Sequence, residues 1–273
     1  VGEPLSGHSD AVRAVAFSPD GHHLATAGDK HQLLLWNLPP GDTAPRLAGG
    51  NSGDITAVAF APDGRSLVSG GSDDVLVRHA QPQRGPFVQP LPGVADAVWA
   101  PAWSPDGRRL ATVEKDASLR LRDATSGAAL GPPLNGHTAI TASLAFTPDG
   151  QQLASAGQDG RLLLWNLNPP AAAPARLLDA GPPLRRVAIR PDGRQLAAAG
   201  RDGRIRLWSL PDGTPLATTP DHGGPVADLA WTPDGRLLAS AGFDGRLRLW
   251  QGSDLQAAGQ ISLPQAGALY RIA

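Results

Sequence analysis

The sequence predicts an all-β fold, a β-propeller of four-stranded antiparallel blades, from three regularities of the chain. The first is the tetrapeptide x-Pro-Asp-Gly, which recurs with spacings of 43, 43, 43, 43 and 42 residues and begins at Ser18, Ala61, Ser104, Thr147, Arg190 and Thr232. A period in the low forties is typical of propeller blades with four strands each. The second is an apolar segment before each tetrapeptide, and the third is a segment ending in Trp after most of them.

Each repeat unit contains segments for four strands, named a to d from the expected propeller axis outwards. In the first unit, strand a includes Ala14–Phe17, and Pro-Asp-Gly then turns the chain because proline fixes φ and glycine accepts positive φ. Strand b has the form Leu-Ala-Ser-Ala-Gly, as at Leu153–Gly157, and strand c the form Leu-x-Leu-Trp, as at Leu162–Trp165. A proline-rich segment such as Gly131–Leu134 supplies strand d, whose unpaired outer edge tolerates proline.

The repeats predict a single domain over residues 1–273, with inner strands that start near residues 11, 54, 97, 140, 183, 225 and 268. These starts correspond to six complete repeats and a partial seventh. Seven blades and six blades both stay open as interpretations, although six would leave two outer strands competing for one position and one edge unpaired. Because the chain begins at Val1 and contains no Met, we expect it to be a segment of a longer protein.

Composition narrows the classes of function. Lys+Arg 24 against Asp+Glu 25 gives a net charge of −1, which argues against bulk attraction to nucleic acid or to a membrane surface. The absence of Cys excludes disulfides and thiolate metal sites. No long apolar run, signal peptide, phosphate loop or G-x-S-x-G motif is present, so we expect a cytoplasmic protein without cofactor, metal or catalytic residues. The preference for Arg over Lys and the abundant Ala indicate a bacterial source.

Four recurring features carry a resemblance to a known family: a Gly-His pair before strand a, Ser or Thr in strand b, Asp in the b–c turn and Trp in strand c. Together they resemble the WD-repeat family, in the form of the regular arrays found in bacteria. In that family the His, Ser or Thr, Asp and Trp side chains form a hydrogen-bonded tetrad that braces the blade. The resemblance implies two complete tetrads, His137, Ser155, Asp159 and Trp165, and His222, Ser240, Asp244 and Trp250.

The other units depart from the tetrad, and we expect their blades to be less rigid. The replacements are Lys30 for Asp in the first unit, Asn51 for His and His79 for Trp in the second, Val94 for His and Arg122 for Trp in the third, and Ala180 and Ala198 in the fifth. We assign His79 no bracing role, so that His79→Phe should be nearly neutral for stability.

The resemblance implies a non-catalytic scaffold that binds a protein or peptide through the face of the d–a and b–c loops. In the family, ligand contacts often come from two positions per blade, the residue after the first residue of strand a and the residue before the tetrad Asp. Cationic and aromatic side chains at these positions predict binding of an acidic or phosphorylated segment of a partner or of the parent chain. The predicted contact residues are Arg13, Trp99, Lys115, Arg185, Arg201, Phe243 and Tyr270. Arg185 and Arg201 belong to one blade and are the best candidates for a joint clamp.

Two further interpretations stay open beside a module of a larger bacterial signalling protein. One is an enzyme propeller, either a lactonase-like hydrolase or a peptidase-associated propeller, because Pro-Asp-Gly turns occur there too. The other is a periplasmic accessory propeller that repeats Ser-Pro-Asp-Gly. The Gly-His pairs and the Trp of strand c argue against the enzyme, and the Trp and the missing signal peptide argue against the periplasmic interpretation.

Overall fold

A computed structural model describes residues 5–38, 45–47, 49, 51–73, 75–80, 87–91, 100–168, 176–262, 269 and 272. The regular elements of this part of the chain are β-strands, arranged in six antiparallel sheets. No helix within the described ranges is long and apolar enough to cross a membrane. Each sheet is one blade, numbered 1 to 6 along the chain, and its strands follow the order of the sequence. The predicted all-β propeller fold with antiparallel blades is confirmed.

The residues group into two compact units. The first unit comprises Val1–Lys115 and Leu119–Gly131, and the second comprises Asp116–Ser118 and Pro132–Ile272. Blades 1 to 3 lie in the first unit and blades 4 to 6 in the second, apart from the short segment Asp116–Ser118.

The described part of the first unit contains eleven strands. Blade 1 consists of β1 (Val12–Phe17), β2 (His23–Gly28), β3 (Leu33–Asn37) and β4 (Arg46–Leu47); blade 2 of β5 (Ile55–Phe60), β6 (Ser66–Gly71), β7 (Leu76–Ala80) and β8 (Phe87–Pro90); blade 3 of β9 (Ala102–Trp103), β10 (Arg109–Val113) and β11 (Leu119–Asp123). In blade 3 the position of strand d is marked by a single bridge between Arg122 and Ala129.

Among the residues of the second unit that the structure describes, twelve strands form three four-stranded blades. Blade 4 consists of β12 (Thr141–Phe146), β13 (Gln152–Gly157), β14 (Arg161–Asn166) and β15 (Arg176–Ala180); blade 5 of β16 (Leu184–Ile189), β17 (Gln195–Gly200), β18 (Ile205–Ser209) and β19 (Pro215–Thr218); blade 6 of β20 (Val226–Trp231), β21 (Leu237–Gly242), β22 (Arg246–Gln251) and β23 (Ala257–Ser262).

Within each unit the hydrophobic core lies between successive blades. In the second unit, Leu162 and Leu164 of blade 4 pack with Leu196 of blade 5, and Leu207 of blade 5 packs with Leu238 of blade 6. Small alanines of strand b fill the narrow spaces between these larger side chains, which is why strand b reads Leu-Ala-x-Ala. Strand b of blades 2, 4 and 5 is accordingly buried along almost its whole length and lacks a simple alternation of apolar and polar residues.

The repeated Asp of Pro-Asp-Gly closes the a–b turn. In blade 1 the Asp20 carboxylate accepts hydrogen bonds from the Ser18 hydroxyl (2.5 Å) and the His22 backbone N–H (2.9 Å). Gly21 takes a φ of 70°, which a residue with a side chain rarely adopts. The same bonds recur at Asp106, Asp149 and Asp234. Turn chemistry thus accounts for the most regular motif of the sequence.

Candidate functional site

The first of the two predicted contact positions is a β-bulge. In blade 1 the pairing of β1 with β2 shifts between Val12 and Ala14, which leaves Arg13 as the extra residue. The same shift recurs in blades 2, 4, 5 and 6, where the extra residues are Thr56, Ala142, Arg185 and Ala227. A bulge bends its strand and redirects the side chain of the extra residue. We call this position the bulge residue.

The second predicted position follows strand b, and we call it the b–c residue. Its backbone N–H donates to the carbonyl oxygen of the residue before strand a, as from Arg201 to Pro183 (3.0 Å) and from Phe243 to Pro225 (2.9 Å). The glycine at the end of strand b permits this approach, because a Cβ on Gly200 would come within 2.1 Å of the Pro183 oxygen. The backbone therefore holds the bulge residue and the b–c residue of one blade at the same edge of the sheet.

In blade 1 the bulge residue and the b–c residue carry opposite charges and form an ion pair. The Arg13 guanidinium donates two hydrogen bonds to the Asp29 carboxylate, from Nε to Oδ1 (2.8 Å) and from Nη2 to Oδ2 (3.0 Å). The bond from Arg13 lowers the pKa of Asp29, which keeps the carboxylate ionised. Beside them, Lys30 forms an ion pair with Asp10 (3.2 Å). Arg13, the predicted contact residue of blade 1, is therefore already paired.

The second unit presents the opposite arrangement. The guanidinium carbon of Arg185, the bulge residue of blade 5, lies 4.9 Å from the centroid of the Phe243 ring, which belongs to the b–c residue of blade 6. The Nε of Arg185 is buried without a hydrogen-bond partner, and the b–c residue of the same blade is a second arginine, the exposed Arg201. Within the described residues, neither arginine has a carboxylate at ion-pair distance.

The carboxylate that pairs with Arg186, the residue after Arg185, is fully engaged. Asp228 of β20 is buried, and its carboxylate forms an ion pair with Arg186. It also accepts hydrogen bonds from the backbone N–H groups of Leu229 (2.9 Å) and Ile272 (2.9 Å). With its oxygens satisfied in this way, Asp228 is not available to neutralise Arg185.

In blade 4 a chain of hydrogen bonds links the four side chains of the first predicted tetrad. The indole Nε1 of Trp165 donates to the Ser155 hydroxyl (2.8 Å), and that hydroxyl lies 2.8 Å from His137 Nε2. The other ring nitrogen of His137, Nδ1, lies 3.1 Å from Asp159 Oδ1. A single direction of donation, from Trp through Ser and His to Asp, satisfies every buried member when His137 is neutral and protonated on Nδ1. Burial lowers the pKa of His137, in keeping with the neutral ring.

Blade 6 contains the same chain with one addition. Trp250 Nε1 donates to Ser240 (2.9 Å), Ser240 lies 2.9 Å from His222 Nε2, and His222 Nδ1 lies 3.2 Å from Asp244. Arg248 also contacts the His222 ring and forms an ion pair with Asp244 (2.9 Å). Burial, reinforced by the charge of Arg248, lowers the pKa of His222. The structure thus brings together the four side chains of both predicted tetrads.

Comparison with known families agrees with this geometry. The family model described as WD domain, G-beta repeat matches residues 2–37, 45–77, 85–123, 131–166, 179–209 and 213–251, one match for each blade and most of the chain. The chain belongs to the WD40 family. WD40 propellers generally act as scaffolds for protein interaction, so the coarse part of the functional prediction holds.

One curated relative shares a short segment with this WD40 chain. Protein HIR1 of Kluyveromyces lactis is 46% identical over 41 residues, about the length of one blade. That segment is 15% of this chain and 5% of the relative. The chain therefore matches a small fraction of the relative's length.

Blade 2 replaces the WD40 tetrad with a different hydrogen-bonded chain. Ser69 donates to Asn51 Oδ1 (2.6 Å), and Asn51 Nδ2 donates to Asp73 (3.3 Å). His79 Nε2 lies 2.8 Å from the Ser69 oxygen and donates to it, since the Ser69 proton is used by Asn51. The prediction that His79 has no bracing role was wrong: its Nε2–H takes the place of the indole. Its Nδ1 is buried without a partner, and burial lowers its pKa to about 4.

Blade 3 replaces the tetrad with a buried ion pair that the sequence analysis missed. Arg122 is 1% exposed, and its Nη2 lies 2.9 Å from Glu114 Oε1. Nη1 donates to the Gly127 carbonyl (3.1 Å), and Thr112 donates to the same Glu114 oxygen (3.1 Å). A signal was present in the sequence. Glu114 stands where the other blades have glycine at the end of strand b, and Arg122 stands where WD40 repeats have Trp, so two opposite charges replace two neutral residues.

Three further predicted contact residues stay predictions. Lys115, the b–c residue of blade 3, is exposed and belongs to the first unit. Trp99 and Tyr270 lie outside the described residues, as does Val94. Among the residues that the structure describes, no group of three or more His, Cys, Asp and Glu side chains could hold a metal ion.

Proposed function

We propose that this WD40 domain binds an acidic or phosphorylated peptide segment at Arg185, Arg201 and Phe243 of the second unit. The segment belongs to a partner protein or to another part of the parent chain. The observation that carries the proposal is the Arg185 guanidinium, which stacks on Phe243 with no described carboxylate to neutralise it. An uncompensated, partly buried cation gains most from an anionic ligand, because it has already lost part of its hydration.

The two arginines suit this ligand by their chemistry. A guanidinium presents paired N–H donors that match the oxygens of a carboxylate or a phosphate. Phe243 holds Arg185 in one orientation, so less side-chain entropy is lost when the ligand binds. Arg201 is exposed at the same blade edge and supplies a second cation. Arg13 is left out of the proposed contact set because Asp29 occupies its guanidinium.

The cellular setting is part of the same proposal. We place the domain in the cytoplasm, as a module of a larger bacterial signalling protein, on the composition and on the resemblance to regular bacterial arrays. Lys115, Trp99 and Tyr270 stay predicted contact residues. Proteins of this family generally bind other proteins, which supports a peptide ligand over nucleic acid or membrane.

The test is binding of the purified chain to matched peptide arrays, with fluorescence anisotropy on the best sequences. Each array peptide is made in three versions, with glutamate, phosphoserine or glutamine at its central positions. We expect the wild type to bind glutamate or phosphoserine versions and to ignore the glutamine versions. Arg185→Ala/Arg201→Ala should lose about 2–5 kcal/mol of binding free energy if the clamp is desolvated.

Arg13→Ala is the matched control, because it removes an arginine from the equivalent position of blade 1. It should leave binding unchanged. Equal losses in Arg13→Ala and in the double variant would show that general positive charge, rather than the clamp, binds the peptide. Assays of the purified chain with ester, lactone and peptide substrates complete the test, since turnover would favour the enzyme interpretation.

A further inference from the structure

The outermost strand of a blade has an unpaired edge, and such edges attract strands of other molecules. Most of the described outer strands carry a feature that prevents this. β4 has two residues and includes Arg46, and β8 ends on Pro90. β15 carries Arg176 and Asp179, and β19 begins at Pro215. Charge, proline and short length are the usual means of blocking edge pairing.

The outer strand of blade 6 lacks all three features. β23 has six residues with the sequence Ala-Ala-Gly-Gln-Ile-Ser, which contains no charge and no proline. Residues 257 to 261 are all exposed, and Ile261 is 51% exposed. The inner edge of β23 pairs with β22 along its whole length, while no described strand pairs with its outer edge. β23 is therefore an extended, exposed and uncharged edge.

We propose that β23 pairs antiparallel with β23 of a second copy of the chain. The two copies then form one continuous sheet with four strands from each. This proposal is independent of the proposed peptide site, because it uses the outer edge of blade 6 rather than the bulge and b–c residues.

The sequence of β23 fits a copy of itself in one register. Two antiparallel strands related by a two-fold axis keep each residue on its own face of the sheet, so one residue lies on the axis and faces itself. With Gln260 on the axis, Gly259 lies opposite Ile261 of the second copy. The space beside Gly259 is open, since a Cβ there would meet no atom within 4 Å. The exposed Ile261 of one copy fits over the bare backbone of Gly259 in the other.

Charge also favours a second copy as the occupant. A two-fold axis brings identical residues together, so any charged residue at the seam would face its own kind. Directly opposed like charges destabilise a strand pair. β23 contains none, and the size match between Gly259 and Ile261 is a match of the strand to itself. A strand from an unrelated partner would not require this complementarity.

The chain contains no cysteine, which permits a direct test of the register. Residues directly opposite in an antiparallel pair have Cα atoms about 4.5–5.5 Å apart, within the range of a disulfide. Gln260→Cys should therefore form a disulfide-linked dimer on mild oxidation, seen on a non-reducing gel. Gln256→Cys, at an exposed position just before β23, is the matched control and should run as a monomer on the same gel.

Sedimentation velocity measures the association itself. The wild type should dimerise with rising concentration. Ile261→Arg should raise the dimer dissociation constant at least tenfold, because the fit of Ile261 over Gly259 is lost and two arginines become diagonal neighbours across the seam. Leu216→Arg, at a position 47% exposed on the proline-guarded β19, should dimerise as the wild type does. A monomeric wild type at every concentration would overturn the proposal. Cross-linking of Gln260→Cys and Gln256→Cys at equal rates would also overturn it, as would an Ile261→Arg variant that dimerises as strongly as the wild type.

Discussion

The two units of this chain share one blade architecture but differ in the side chains that brace the blades and in the charges at the blade edges. In the second unit, blades 4 and 6 carry the full WD40 tetrad, and Arg185 and Arg201 of blade 5 have no described acidic partner. In the first unit, blades 2 and 3 replace the tetrad with other polar chains, and the bulge arginine of blade 1 is bound by Asp29. The turns, the bulges and the hydrogen bonds from the b–c residues are common to both units.

The difference shows that the backbone geometry of a blade does not depend on one set of bracing residues. A neutral chain through Ser155, a chain through Asn51 and a buried ion pair at Arg122 each link buried polar groups at the same place in the blade. In blade 2, His79 Nδ1 is left without a partner. Charge at the blade edge also differs between blades: the bulge arginine of blade 1 is paired with Asp29 at the b–c position, whereas blade 5 has Arg201 there. The blades therefore share their backbone fold, while the hydrogen bonds and charges of each blade depend on its own side chains.

The largest expected effect is in blade 3 of the first unit. Arg122→Ala leaves Glu114 buried without its cation, and it should cost about 3–5 kcal/mol of unfolding free energy in a urea titration. Arg120→Ala, on the same strand, is the control and should cost far less. Replacing both partners, as Arg122→Met/Glu114→Gln, should recover much of the loss, because no unpaired charge is then buried. A cost for Arg122→Ala as small as that for Arg120→Ala would contradict the buried pair.

The brace of blade 2 should make stability depend on pH. The pKa of His79 is about 4 in the folded chain, against about 6.5 when unfolded, because burial disfavours the imidazolium. As pH falls through this interval the unfolded chain takes up a proton that folded His79 does not, and the wild type loses up to about 3 kcal/mol. His79→Phe lacks this contribution and retains those of His137 and His222. Its stability difference from the wild type should therefore shift in its favour between pH 7 and pH 4, and a constant difference would show that His79 is not buried and neutral.

The tetrads of the second unit predict a smaller effect with an internal control. Trp165→Phe removes the donor to the buried Ser155 hydroxyl and should cost about 1–3 kcal/mol in addition to lost packing. Trp208→Phe makes the same change in blade 5, where Ala198 stands at the serine position and offers no hydroxyl. Denaturation should therefore show a larger loss for Trp165→Phe. Equal losses would mean that the indole contributes by packing alone.

Much of the fold and of the site could be predicted from the sequence because both depend on local chemistry repeated at a fixed period. The Pro-Asp-Gly turns, the strand-b glycine and the two complete tetrads all fall at constant offsets. The pairing of Arg13 with Asp29 was also within reach, since opposite charges occupy the two contact positions of one blade. The stacking of Arg185 on Phe243 was not, because it joins successive blades and depends on their packing. The partner of Asp228 was hidden for the same reason.

We propose that the bulge arginine of blade 5, which has no described acidic partner, creates the peptide site, and one substitution tests this proposal. Arg201→Asp gives blade 5 the arrangement of blade 1, with a carboxylate at the b–c position beside the bulge arginine. Arg204→Asp changes the charge equally at an exposed position of the same turn and serves as the control. Anisotropy with the best acidic or phosphoserine peptide should show at least a tenfold loss of affinity for Arg201→Asp and little change for Arg204→Asp. Unchanged affinity in Arg201→Asp, or equal loss in both variants, would contradict the claim.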